Sequence, residues 1–119
     1  MNKEKHLEKA KRIEDSIAKL DKEKDWELIV EGVYGTAQHY IAFISEQKLG
    51  KHQETHKGLI KFLRENNLEG ISNLFQQIDE LRIGRWYGSK INGETSKLAL
   101  DILEKIKQIL ENEKSGINQ

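Results

Sequence analysis

The chain has no cysteine and no proline. Without cysteine there can be no disulfide framework, no thiolate nucleophile and no cysteine-rich zinc site, a composition that suits a reducing compartment. Without proline, only glycine and polar turns can break a helix. Net charge is absent too, since 20 basic residues face 20 acidic ones. A protein that grips nucleic acid with its whole surface carries a basic excess, so any such contact here must be local. No apolar run approaches the roughly 20 residues of a membrane span, and the charged start MNKEKHLEKAKR is unlike a secretory signal. These absences predict a cytoplasmic protein that does not enter membranes. No segment alternates apolar and polar residues long enough to suggest a strand.

What remains is a 119-residue chain, 36% hydrophobic and 34% charged, enough for one domain whose core spans about residues 3–112. Leu7, Ala10, Ile13, Ile17 and Leu20 recur at helical spacing and predict a first helix over about Lys3–Leu20. A charged connector, Asp21–Asp25, leads to a second helix over about Asp25–Gln47. One face of it carries Trp26, Ile29, Val30, Val33, Ala37, Tyr40, Ile41 and Ile44. The other face carries Leu28, Gly32, Gly35, Thr36, His39 and Phe43. Each interior glycine costs about 1 kcal/mol of helix propensity. Either a neighbouring helix or a symmetry mate comes close there, or the packed helix simply tolerates them. After a stop at Leu49–Lys51, a short third helix is expected over about Gln53–Glu65, closed by Asn66 and Asn67. The fourth should cover about Gly70–Trp86. The fifth should cover about Glu94–Asn112, with Asn92 as a possible N-cap. The predicted architecture is all-α: an antiparallel up-and-down bundle of four main helices plus one short helix.

Several familiar motifs fail on register. The two histidines of His52-Gln53-Glu54-Thr55-His56 stand four apart, but the glutamate is one position too late for a zinc protease, and no third ligand is evident. A surface pair at a helix start is the simpler reading, with His56 alternatively packed at the mouth of the bundle. The loop from Gly88 to Thr95 has Glu94 where a phosphate-binding loop needs lysine. No residue pattern calls for a cofactor, a metal or a nucleophilic triad, and none identifies a catalytic residue.

The strongest polar signal is LRIGRWYGSK, residues 81–90, which has no acidic member. On a helix it places Arg82 and Arg85 within about 50° of the centre of the apolar stripe of Ile71, Leu74, Phe75, Ile78 and Leu81. Cations on a buried face need partners, because an unpaired buried charge is costly. Asp79, three residues before Arg82, could supply one. Two readings stay open. Either the arginine stems cover the end of the bundle and their heads meet carboxylates or helix carbonyls, or the pair forms a small anion site. In that site Arg82 and Arg85 would fork onto phosphate while Trp86 and Tyr87 stack a base.

The order of elements, with GVYGTAQHYIAFISEQKLG in the second helix, ETHKGLIKFL in the third and FQQIDELRIGRWYGSK closing the fourth, resembles the HEPN (higher eukaryotes and prokaryotes nucleotide-binding) domain over about Lys3–Leu110. That resemblance implies a helical bundle that dimerises. It also implies links to RNA cleavage, to nucleotide binding and to toxin–antitoxin pairs with small nucleotidyltransferases. The family's nuclease motif is an arginine followed, after four to six residues, by a histidine. Arg82 matches the arginine, but Tyr87 stands where the histidine is expected. From Arg85 the window falls on Ile91 and its neighbours, and no histidine follows His56. A tyrosine hydroxyl, with an ordinary pKa near 10, is a poor proton acceptor at neutral pH. The expectation is therefore a non-catalytic homodimer that binds a nucleotide, RNA or a partner protein such as a nucleotidyltransferase near Arg82, Arg85, Trp86 and Tyr87. Its rivals are an active ribonuclease toxin, with His39 or His56 brought beside Arg82, and a purely structural interaction protein.

Overall fold

A computed structural model describes residues 2–53, 58–86 and 93–115; for 84–86 and 115 it describes the backbone alone. Five helices, α1 (Lys3–Ile17), α2 (Trp26–Leu49), α3 (Leu59–Glu65), α4 (Glu69–Trp86) and α5 (Gly93–Ser115), form an all-α bundle, with no strand among the described residues. No helix is long and apolar enough to cross a membrane among the described residues.

Local chemistry sets the helix ends. The Asn2 side chain accepts from the backbone N–H of Lys5 at 2.9 Å and caps α1. That helix stops at Ile17, three residues short of expectation, and closes with tight bonds from Lys19 to Ser16 and from Leu20 to Ile17. The cause lies in the connector. Asp21 Oδ1 accepts from the N–H groups of Glu23 and Lys24, each at 2.8 Å, and Asp25 Oδ2 accepts from Asp21 N–H at 2.9 Å. Aspartates that bond nearby backbone favour turns over helix. At the far end of α2, Gly50 takes a φ of 74° and ends the helix as anticipated. Asn67 has a φ of 63°, and Leu68 N–H bonds the carbonyl of Leu63 at 2.8 Å, a Schellman closure of α3.

Contacts between helices give their directions. Lys3 reaches Gln47 near the end of α2, while Ile17 lies against Gly32, so α1 and α2 run in opposite senses. The middle of α4 meets the first half of α2, where the Tyr34 and Phe75 rings stand 5.0 Å apart. α5 starts at the connector, with the buried Ser96 hydroxyl donating to Lys22 O at 2.8 Å. It ends beside α2, where Lys48 and Glu113 pair at 2.7 Å.

The apolar face expected on α2 is the spine of the core. Ile29, Val30, Val33, Ala37, Tyr40, Ile41 and Ile44 are all at most 2% exposed, and they meet Ile71, Phe75 and Ile78 of α4 and Leu103, Ile106 and Leu110 of α5. Burying a side chain of this size contributes about 1.5–3 kcal/mol. The glycine question on the other face resolves at one position. A Cβ on Gly32 would stand 2.6 Å from Ile17 Cγ1, so the close neighbour there is α1, whereas one on Gly35 would meet only Ile13 Cδ1 at 3.7 Å.

One polar network crosses the core. Tyr40 donates to Glu14 Oε1 at 2.6 Å, and Lys107 donates to Glu14 Oε2 at 2.6 Å, which joins α1, α2 and α5. Burial, reinforced by the Glu14 bond, pushes the Tyr40 hydroxyl far above the ordinary tyrosine range. The same bond to Glu14 raises Lys107 above its usual value against the effect of burial.

Candidate functional site

Arg82 sits on the side of α4 that faces α2, one turn after Asp79. Its guanidinium lies 4.1 Å from the centre of the Tyr34 ring, and its Nη2 donates to Asp79 Oδ1 at 3.0 Å. Its side chain is 31% exposed, so the head is held between an aromatic face and a carboxylate and opens partly to solvent. Burial opposes the charge. The Asp79 bond and the negative potential of Tyr34, Asp79 and Glu31 outweigh it, and the pKa lies above the ordinary arginine value. Burial likewise raises Tyr34, with Arg82 opposing. The Nε–H of Arg82 is buried and has no hydrogen-bond partner among the described residues.

Among the residues expected at this site, the structure therefore places Arg82 and confirms its pairing with Asp79. The side chains of Arg85 and Trp86, and the whole of Tyr87, lie outside the described residues, as does His56. His39 does not stand beside Arg82. Its ring is taken up at the α1 side of α2, and the groups that act on the Arg82 charge are Asp79, Tyr34 and Glu31. Two carboxylates near one guanidinium leave little positive potential for a phosphate. Three cavities lie at the connector, along α1 and beside His52.

A second cluster went unforeseen in the sequence. His6, on α1, uses both ring nitrogens. Its Nδ1 is 2.8 Å from His39 Nδ1 on α2, and its Nε2 is 3.3 Å from His52 Nε2 in the segment after α2. His52 Nδ1 lies 3.6 Å from Glu46 Oε1, and the side chain of His52 is only 11% exposed. This corrects the reading of His52 as a surface residue at a helix start: residues 51–53 are not helical, α3 begins at Leu59, and the His52 ring turns inward. The signal was present in α1, because His6 precedes Ala10 by four residues and heads the same buried line as Ala10 and Ile17. The cluster is not a metal centre in this arrangement. His6 directs opposite nitrogens at different neighbours, and no three histidine, aspartate or glutamate side chains among the described residues converge on one point.

Comparison with protein-family models, with curated proteins and with solved structures finds no match to this chain.

Proposed function

We propose that the chain is a HEPN-like helical protein without catalytic activity that binds another protein, a second copy of itself first among them, through the face around Arg82. The observation that carries this reading is the setting of Arg82. A cation stacked on Tyr34, tied to Asp79 and flanked by Glu31 is suited to a polar protein contact, and among the described residues no histidine acts on its charge. Arginine on an aromatic ring is typical of protein interfaces. Ile83, next in sequence, is 45% exposed, and Leu28, one turn before Glu31 on α2, is 59% exposed. Both are exposed apolar side chains on the two helices that bring Arg82 and Tyr34 together. A nucleotidyltransferase is a further partner of the kind that the family resemblance implies, and a cytoplasmic setting suits a chain without cysteine. Nucleotide or RNA binding is the less supported form of the proposal, because Asp79 and Glu31 offset Arg82.

Light scattering tests this. The expected mass is about twice 13.8 kDa at micromolar concentration, and Ile83→Asp should return it to the monomer value. A strict monomer, or a thermal shift of several degrees with a mononucleotide, would turn the reading toward a small ligand instead.

A further inference from the structure

We infer that His39, His6 and His52 form an acid-released clasp that fastens the first turns of α1 to the end of α2. Counting protons across the two nitrogen contacts shows why. Three neutral imidazoles carry three N–H groups. Each contact, at 2.8 Å and at 3.3 Å, can hold one hydrogen and no more, because two facing N–H groups repel. The outer nitrogens, His39 Nε2 and His52 Nδ1, can hold one each. With both contacts intact the trio therefore carries at most four hydrogens, which is one beyond neutral. The same three rings in an unfolded chain carry six at low pH. Closing the clasp thus excludes two protons that the open chain accepts.

Glu46 of α2 faces His52, and Glu4 and Lys3 of α1 line the same cavity of about 340 Å³ with Asn2, Glu46 and His52. Lys3 is itself engaged with Gln47 and lies over the Phe43 ring, and from α5 Glu113 pairs with Lys48 near the end of α2. His6 is 5% exposed, so water cannot readily separate the facing donors. Relief comes by opening. The lower half of α1 is held independently by Ile17 at Gly32 and by the Glu14 bonds to Tyr40 and Lys107. Acid therefore frees the segment around Asn2–Glu8 first. Imidazole is the side chain whose ordinary charge change falls between pH 5 and 8, so the device works in the range a cell can reach. Proton-linked opening of this kind is coupled, and its midpoint belongs to the trio rather than to one ring.

The test is urea unfolding of the whole chain between pH 8 and pH 5, with amide hydrogen exchange at the two ends of that range. Carboxylates, with ordinary pKa values near 4, contribute little there. A two-proton difference raises the unfolding constant by up to about 100-fold per pH unit once the unfolded rings are charged. The expected result is a rise of at least about tenfold from pH 6 to pH 5 in the native protein. His6→Phe, which removes both contacts, should flatten the rise, and His39→Gln, which leaves one contact and so excludes one proton, should cut it to about its square root, about threefold for a tenfold native rise. If His6→Phe does not fold, His39→Gln, which removes one of the two contacts from a partly buried position, carries the comparison. Protection corrected for intrinsic exchange should fall at Lys3–Glu8 before it falls in α2 or α5. A flat native profile, an unchanged slope in the variants, or uniform loss of protection along the chain would each overturn the clasp.

Discussion

Alanine at Gly32 and alanine at Gly35 should move stability in opposite directions, although the two glycines are three residues apart on one helix. Both substitutions gain about 1 kcal/mol of helix propensity, since glycine inside a helix is that much poorer than alanine. At Gly35 nothing opposes the gain. The new methyl would make an ordinary contact, 3.7 Å from Ile13 Cδ1. At Gly32 it would stand 2.6 Å from Ile17 Cγ1 and 2.8 Å from Ile17 Cδ1, inside van der Waals distance. Ile17 is 6% exposed and ends α1, so its side chain can yield only by shifting the helix or leaving its rotamer. Overpacking of this kind costs roughly 1–3 kcal/mol. Gly35→Ala should therefore stabilise by about 0.5–1 kcal/mol, and Gly32→Ala should be neutral or destabilise by up to about 2 kcal/mol. With a urea slope of about 1–3 kcal/mol/M, the two midpoints should separate by about 1 M. Equal stabilisation by both would mean that Ile17 does not lodge at Gly32. Destabilisation by Gly35→Ala would mean that something else in solution covers that position.

The buried Thr36 hydroxyl has no hydrogen-bond partner among the described residues, so Thr36→Val, nearly the same shape, should raise stability by about 1 kcal/mol in the same urea assay. The chain should also lose stability in alkali. Tyr40, Tyr34 and Lys107 are all raised in the folded state, so between their unfolded and folded pKa values the folded chain binds more protons. Their contribution is complete below about pH 10 and is lost as pH climbs through the folded values, at up to about 1.4 kcal/mol per pH unit for each group. Tyr40→Phe should flatten that decline, to be read by circular dichroism from pH 9 to 12. An unchanged slope would show that the Tyr40 proton is not held by the fold.

The helices were readable because their signals are local. Apolar spacing marked α2 and α5, and Gly50 and Asn66–Asn67 marked ends that the structure shows. The pairing of Asp79 with Arg82 was readable for the same reason, since residues three apart share a helix face. The stacking of Arg82 on Tyr34 was not, because it joins helices nearly fifty positions apart. Gly32 announced a close neighbour without saying which, and only tertiary packing names Ile17. The histidine cluster shows the limit most clearly. His6 and His39 each lie on a recognisable helix stripe, but His52 reaches them from a segment with no helical period, so no spacing rule connects the three. Glu14 was similarly silent. A charged residue on α1 reads as solvated until Tyr40 and Lys107 arrive from two other helices.

The most direct test of the central claim, that Arg82 serves contact rather than catalysis, is incubation of the purified chain with single-stranded RNA. Native protein should leave the RNA at full length over hours at neutral pH, and Arg82→Ala should behave the same. Cleavage by the native chain that disappears in Arg82→Ala would contradict the account and make the arginine part of a ribonuclease centre.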